Sequence, residues 1–262
     1  MPAQPIRFDN GEAYDRMTGT WSRIAGQVFL DWLKPASGQR WVDIGCGSGA
    51  FSDLILRNCA PAALQGIDPS DSQLAFARTH FSAANAAFHQ GDGMALPYAD
   101  DSFDIAVMAL VLFFVPDPIK GVAEMVRVVR PGGWVTAYVW DTEADGSPPW
   151  PVSSAVRAEG RTSSGPPSAW VAKLDTPRDV WTNAGLQEIE TRVISPERGF
   201  DDFDTFWSVT TAVGGAKAAL ASLPPDAIER VKARVRAALP PDTNSRITYS
   251  AHANAIKGRV PG

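Results

Sequence analysis

The chain has 262 residues, of which 45% are hydrophobic and 20% are charged, a balance typical of a globular protein with a sizeable core. The net charge of −5 comes without a run of Lys or Arg, which argues against nucleic acid as a partner. Cys46 and Cys59 have neither metal-type nor redox-type spacing, and no ligand cluster predicts a metal. Because neither a signal peptide nor a membrane-length apolar stretch is recognisable, we expect a cytoplasmic protein without a membrane partner.

Helical and strand patterns alternate through the first 140 residues. Residues 1–20 form a polar arm with short helical pieces, and apolar side chains at helical spacing predict a helix over 21–33. The almost wholly apolar run at 103–112 is typical of a central parallel strand covered on both faces. The alternation predicts a doubly wound parallel sheet with strands at 40–44, 63–67, 87–90, 103–112 and 134–140 and helices at 50–58, 72–79 and 119–129.

The second half is less regular. Residues 141–170 are rich in Pro, Ser, Gly and Asp, which predicts a long connection with at most one short helix. A helix is predicted at 176–183 and a strand at 185–194. Residues 200–239 are alanine-rich and mostly helical, with breaks at Gly214-Gly215 and Pro224-Pro225, and 247–260 is the last strand.

We therefore predict an α/β fold whose mostly parallel seven-stranded sheet receives strands from both ends of the chain, with helices on both faces. It is expected to be a single domain, 1–262, with a small inserted helical cap. Its predicted parts are an arm and helix (1–35), a cofactor-binding core (36–141), a connection with strand six (142–199), the cap (200–239) and the last strand (247–260).

A glycine-rich motif, Val-Asp-Ile-Gly-Cys-Gly-Ser-Gly at 42–49, lies where the first predicted strand ends and a helix begins. Glycines there let the backbone turn sharply and let a ligand lie against it. Alone, the motif fits any nucleotide-binding α/β fold. A phosphate-binding loop would continue with Gly-Lys-Ser/Thr, which is absent.

Three acidic residues follow successive predicted strands. Asp43 precedes the first glycine, Asp68 ends the second strand about 20 residues beyond the glycine loop, and Asp92 follows the third strand. Ligands of such sheets bind at the carboxyl ends of the strands. The set indicates an adenosine site in which Asp68 accepts from ribose hydroxyls and Asp92 from the adenine amino group. Asp43 adds an anion that suits a cationic tail and would repel a pyrophosphate.

With these motifs the chain resembles the class I S-adenosylmethionine-dependent methyltransferases of the ubiquinone/menaquinone-biosynthesis type, the type 11 family. The matching segments are Asp43–Gly49, Gly66–Ser70, Gly91–Gly93 with Leu96-Pro97 and Ser102-Phe103-Asp104, and Glu124–Gly133. Together they cover about residues 40–140. A looser similarity to a bacterial subgroup extends over Tyr14, Gly19–Arg23 and Ala251–Val260.

The resemblance implies S-adenosyl-L-methionine as cofactor and assigns its contacts. The glycine loop would lie along the methionine part with Asp43 near the ammonium group, the second segment would hold the ribose, and the third the adenine. The end of strand four would approach the cofactor's amino group, and Arg23 would meet its carboxylate. The cofactor-binding residues so implied are Asp43, Gly45, Cys46, Gly47, Asp68, Pro69, Asp92, Gly93, Met94, Ala109, Leu110 and Arg23.

Substrate contacts are predicted from aromatic residues on the same side of the sheet. They follow strand four, end strand five, or lie in the arm and the cap, and comprise Tyr14, Trp21, Phe113, Phe114, Trp140 and Trp207. Simple core packing is the alternative interpretation for each of them, as helix capping or turn formation is for the three acids.

The predicted reaction is methyl transfer to a small-molecule acceptor by in-line displacement, for which alignment and exclusion of water are the main requirements. A base is needed only for a protonated nucleophile, and no catalytic residue is identified. A nicotinamide-dependent oxidoreductase and a catalytically silent cofactor-binding module remain as alternatives.

Overall fold

A computed structural model describes residues 15–81, 83–142, 146–161, 165–173, 175–212 and 214–262. The strands are β1 (Arg40–Ile44), β2 (Ala63–Asp68), β3 (Ala86–Gln90), β4 (Phe103–Ala109), β5 (Val129–Trp140), β6 (Gln187–Ile194), β7 (Glu197–Phe200), β8 (Ile247–Ser250) and β9 (Ala253–Arg259). The α-helices are α1 (Thr20–Leu33), α2 (Ala50–Asn58), α3 (Asp71–His80), α4 (Pro118–Val128), α5 (Trp150–Ala158), α6 (Thr176–Asn183), α7 (Phe203–Thr211), α8 (Gly214–Ala221) and α9 (Pro225–Ala238). A π-helix covers Asp15–Gly19, and 3₁₀ turns cover Leu112–Phe114 and Ala169–Ala172.

Seven strands form one sheet in the order β3-β2-β1-β4-β5-β9-β6. The first five strands pair in parallel, and β9 runs antiparallel between β5 and β6. The strand order reverses beside β1, and right-handed crossovers in opposite directions put the connecting helices on opposite faces. The predicted doubly wound, mostly parallel sheet is confirmed.

Strand β4 is shorter than predicted. The expected strand over 103–112 ends at Ala109, because Leu110 takes a left-handed backbone conformation with φ of 61°. Its N–H donates to the Tyr138 carbonyl at 2.8 Å, and the chain then enters a 3₁₀ turn. Hydrophobicity alone did not reveal this break, since the residues beyond it are also apolar and mostly buried.

The expected last strand over 247–260 is also wrong, because it divides into β8 and β9. Strand β8 pairs with β7, a strand that the sequence did not predict. This antiparallel β7–β8 ribbon lies beyond the carboxyl edge of the sheet. The register establishes this, since Ala253, the first residue of β9, pairs with Trp140 and Ile194, the last residues of β5 and β6.

The cap has the predicted breaks, since helices begin at Gly214 and at Pro225. Helix α7 contacts the β7–β8 ribbon and the π-helix before α1, and α8 and α9 contact α5. The central strands are almost entirely buried, as expected for parallel strands between helical layers. Among the described residues, no helix is long and apolar enough to cross a membrane.

Candidate cofactor site at the carboxyl edge of the sheet

The glycine loop is fixed by backbone contacts to the neighbouring strand. Gly45 and Cys46 both donate their N–H groups to the Ile67 carbonyl, at 2.7 and 3.1 Å. Gly45 has a φ of 74°, and a Cβ built there would lie 2.5 Å from Cγ1 of Val111. Only glycine satisfies both constraints, so the sequence motif corresponds to a physical requirement.

Asp43 is a fully buried carboxylate at the end of β1. The Ser52 hydroxyl donates to its Oδ2 at 2.6 Å, whereas Oδ1 has no hydrogen-bond partner among the described residues. Burial raises the pKa of Asp43 to about 7; the Ser52 hydrogen bond opposes the rise and the charge of Asp68 adds to it. A buried acceptor without a donor is costly, which makes Oδ1 a candidate for a ligand contact.

Asp68 ends β2 and joins the two loops of the site. Its Oδ2 accepts the Gly47 N–H at 2.9 Å, and its Oδ1 accepts the Ser70 N–H at 2.8 Å. Burial raises its pKa, against the lowering effect of these two bonds. A carboxylate has about four acceptor positions, so two remain for a ligand. Pro69, which follows it, is exposed.

Asp92 is exposed in a turn after β3. Its Oδ1 accepts the Met94 N–H at 2.8 Å, and its carbonyl accepts the Ala95 N–H at 3.0 Å. Gly93 packs closely here, since an added Cβ would lie 2.9 Å from Cγ2 of Ile44. This geometry fits the interpretation of Asp92 as a turn residue. A contact between its remaining acceptor positions and the adenine amino group stays a prediction.

The end of β4 adds a strained backbone to this edge. Leu110 is a leucine at positive φ, a conformation that costs an L-residue about 1–2 kcal/mol. Such outliers cluster at binding and catalytic sites. Ala109 and Leu110 are predicted to approach the cofactor's amino group. They therefore lie at an unusual stretch of backbone beside the glycine loop, and the next residue, Val111, contacts that loop.

Two other predicted cofactor residues have more restricted positions. The Cys46 thiol is buried against Leu74 and Phe88, and burial raises its pKa well above the ordinary value, so only its backbone suits a ligand. Arg23 is half-buried on α1. Its predicted carboxylate contact stays a prediction.

The structure brings two of the predicted substrate residues together. Trp21 packs edge-on against Trp140, with ring centroids 6.0 Å apart, and against Tyr249 at 6.1 Å. Tyr249 in turn meets Phe206 of the cap at 6.2 Å. We call Trp21, Trp140, Tyr249 and Phe206 the aromatic cluster. It joins α1, the end of β5, the ribbon and the cap above one edge of the sheet.

The other predicted substrate residues lie apart from these ring contacts. Trp207 is half-buried and stacks on Phe203 at 6.2 Å. Phe113 is buried, whereas Phe114 is 43% exposed. Tyr14 lies outside the described residues. The contacts of these four with a substrate stay predictions.

Sequence reasoning missed Ser52, Tyr249 and Arg198, all of which bear on this edge. Ser52 lies in the first turn of α2 and belongs to no recognisable motif. Tyr249 alternates with Ile247, and Arg198 with Phe200, at the period of two typical of strands. That alternation was the available signal for the ribbon.

Comparison with known proteins identifies the region that carries the glycine loop and the acids. Residues 42–137 match the type 11 family model described as a methyltransferase domain. The ubiquinone/menaquinone biosynthesis C-methyltransferase of Roseobacter denitrificans is 33% identical over 128 residues, covering 46% of this chain and 51% of that protein. A demethylmenaquinone methyltransferase of Desulfitobacterium hafniense is 38% identical over 122 residues, covering 45% of this chain and 47% of that protein.

Residues 42–137 are thus a methyltransferase domain of the type 11 family. The predicted family is thereby confirmed. The chain spans about half the length of these relatives. The residues matched by the family model, 42–137, include neither the cap nor the ribbon.

Solved structures resemble the fold of this chain over most of the chain's length. The YcgJ protein of Bacillus subtilis superposes with a TM-score of 0.57 at 18% identity, covering 91% of this chain and 98% of that one. The [4+2]-cyclase SpnF superposes with a TM-score of 0.55 at 19% identity, covering 92% of this chain and 81% of that one. At these identities the likeness concerns the fold alone.

Proposed function

We propose that the chain binds S-adenosyl-L-methionine at the carboxyl ends of β1, β2 and β3 and transfers its methyl group to a small-molecule acceptor. The observation that carries this proposal is the placement of Asp43, Asp68 and Asp92 at three adjacent strand ends around a glycine loop. The type 11 match over the same residues supports it.

The residues present fit this cofactor. The buried Oδ1 of Asp43 has no donor within the described part of the chain, and the cofactor's ammonium group would supply one. Asp68 keeps two acceptor positions for ribose hydroxyls. Gly45 leaves no space for a side chain, so a ligand here lies against backbone. The expected contacts of Cys46, Gly47, Pro69, Gly93, Met94, Ala109, Leu110 and Arg23 belong to the same proposal.

The chain's own residues would act by binding, orientation and exclusion of water. When bound, the cofactor supplies a methyl group already activated on a positively charged sulfur. The protein then needs to hold an acceptor atom about 3–3.5 Å away and in line. We assign the acceptor side to the aromatic cluster with Phe113, Phe114, Trp207 and Tyr14, in a single domain whose cap covers it. A cytoplasmic location belongs to the same proposal.

The alternatives are less well supported. A nicotinamide cofactor could share the glycine loop and Asp68, but it would bring a pyrophosphate close to Asp43, whose negative charge would repel it. A module that binds the cofactor without transferring its methyl group has the same strand ends. The fold neighbour titled a [4+2]-cyclase illustrates that methyl transfer does not follow from the fold.

Transfer of an isotopic label tests the proposal. The protein is incubated with a small-molecule extract and a donor whose methyl group is isotopically labelled, and products are found by mass spectrometry. We expect a compound that gains the labelled methyl with the wild type and the Asp71→Ala control, and much less with Asp68→Ala. Asp71 is a nearby acid that pairs with Arg78 at the surface. Donor binding without any labelled product would support the silent module.

A further inference from the structure

One charged side chain lies on the inward face of the β7–β8 ribbon. Arg198 pairs with Tyr249 and Phe200 pairs with Ile247, so these four side chains share one face. The other three are buried, with exposures of 3% for Phe200, 1% for Ile247 and 9% for Tyr249. On the opposite face, Glu197, Gly199 and Thr248 are exposed. Arg198 thus occupies a position in an otherwise apolar row.

The contacts of Arg198 leave most of its donors unused. Its guanidinium carbon lies 4.8 Å from the centre of the Phe200 ring, and one N–H donates to the Met17 carbonyl at 3.4 Å. A guanidinium has five N–H donors. No carboxylate among the described side chains lies within ion-pair distance of it.

Other arginines of the chain form ion pairs with acidic side chains. Arg127 contacts Glu124 and Asp100, and Arg230 contacts Glu159 and Asp226. These acids raise the pKa of both guanidinium groups, whereas burial lowers the pKa of Arg198. A half-buried cation without a counter-charge is unfavourable unless a partner arrives.

Arg198 lies on the side where the acceptor is expected. The ribbon continues β6 past the carboxyl edge, the same edge that carries the three acids. Tyr249, directly opposite Arg198, belongs to the aromatic cluster and contacts Trp21, which contacts Trp140 at the end of β5. Arg198 is therefore the cross-strand neighbour of a member of the aromatic cluster.

We propose that Arg198 binds a carboxylate of the methyl acceptor, which makes the acceptor an apolar or aromatic carboxylic acid. The planar guanidinium suits a carboxylate because two parallel N–H groups can donate to its two oxygens. The aromatic cluster would hold the apolar part. This inference rests on the proposed methyl transfer and specifies its substrate class.

The test compares acids with their neutral amides on the protein saturated with S-adenosylhomocysteine. Calorimetric titrations use benzoate, 2-naphthoate and decanoate, each beside its amide. We expect at least one acid to bind at least tenfold more tightly than its amide. Arg198→Met should reduce that preference to less than twofold. Arg198→Lys should keep part of it, since lysine retains the positive charge but lacks the two parallel N–H groups of a guanidinium.

Arg192→Met is the matched control, because it removes the same charge from an exposed position on β6. It should leave the preference for the acid unchanged. Thermal unfolding checks that each variant folds, and we expect Arg198→Met to be at least as stable as the wild type, since methionine suits an apolar row. The comparison of acids with amides on the wild type needs no variant at all.

Several outcomes would overturn the inference. One is that the wild type prefers none of the acids, as expected if an acid of the chain itself neutralises Arg198. Another is that Arg198→Met retains the preference, or that it weakens S-adenosylhomocysteine binding tenfold, which would assign Arg198 to the cofactor. Failure of S-adenosylhomocysteine to bind the wild type would instead refute the proposed function, and the inference with it.

Discussion

The two sides of the carboxyl edge consist of different kinds of residues. Around β1, β2 and β3, backbone N–H groups and carboxylates hold one another, as in the bonds from Gly47 and Ser70 to Asp68. Above β5 and β9, large aromatic rings meet edge-on, and Arg198 is the charged side chain in the inward row of the ribbon. One side suits a polar ligand of fixed shape, and the other suits an apolar ligand of variable shape.

This difference indicates that one side of the edge binds the cofactor and the other binds the acceptor. A loop held by backbone bonds has little freedom to adapt, so substitutions there should affect cofactor affinity first. Aromatic packing tolerates changes of shape more readily, so substitutions there should affect the acceptor and leave the cofactor in place.

The largest effect is expected at Gly45. Gly45→Ala combines a positive φ with a Cβ 2.5 Å from Val111, which should cost about 2–4 kcal/mol of unfolding free energy and weaken S-adenosylhomocysteine binding more than tenfold. Gly38→Ala is the control, since Gly38 also has a φ of 74° but has nothing within 4 Å of an added Cβ. It should cost about 1–2 kcal/mol and leave affinity unchanged. Equal losses of affinity in the two variants would contradict the account.

Asp68→Ala should weaken cofactor binding by at least about tenfold. Charge-assisted hydrogen bonds to the ribose are worth about 1.5–3 kcal/mol each, and 1.4 kcal/mol is a factor of ten. The variant also removes the acceptor of the Gly47 N–H, which loosens the glycine loop. Calorimetric titration beside Asp71→Ala measures the loss. An unchanged dissociation constant in a folded Asp68→Ala protein would refute the assignment.

The titration of Asp43 predicts a pH dependence of cofactor binding. With a pKa of about 7, Asp43 is mostly protonated at pH 6 and mostly ionised at pH 8. If the ionised form binds the ammonium group, affinity for S-adenosylhomocysteine should rise by about tenfold over that range, in proportion to the ionised fraction. Asp43→Asn should abolish the rise. A wild-type affinity that falls with pH would contradict the assignment.

The same shift predicts the opposite trend for the stability of the free protein. A raised pKa means that the folded state holds a proton that the unfolded state releases, so the stabilisation is complete below about pH 4. It is lost as pH rises through 7. Asp43→Asn should remove this contribution, so the unfolding free energies of the two proteins, measured in denaturant, should differ in slope between these pH values. Parallel profiles would mean that Asp43 is not buried as described.

On the acceptor side, Trp207→Ala should lower methyl transfer while changing S-adenosylhomocysteine affinity by less than about twofold. Trp207 lies in the cap, half-buried on Phe203, away from the glycine loop. Trp170→Ala is the control, since Trp170 is 42% exposed. Transfer is measured once the labelled product is known. A Trp207→Ala protein with full activity would mean that this ring only packs the cap.

The same difference explains how much could be predicted from the sequence. The cofactor side depends on short motifs, because a strand, its glycine turn and its acid are adjacent in the chain. Asp43, Asp68 and Asp92 were therefore predicted at neighbouring strand ends, which the sheet order confirms. The acceptor side depends on pairing between distant segments. The local sequence of Glu197–Phe200 does not indicate that this strand pairs with β8. The break at Leu110 lies within an apolar run and has no local signal either.

The most direct test of the central claim is the choice of ligand by the wild-type protein. Thermal unfolding is followed with S-adenosylhomocysteine, with NADH and without ligand. A ligand at about 100 times its dissociation constant adds roughly 2.7 kcal/mol to stability. We expect S-adenosylhomocysteine to raise the melting temperature and NADH to leave it unchanged. A rise with NADH, and none with S-adenosylhomocysteine, would contradict that claim.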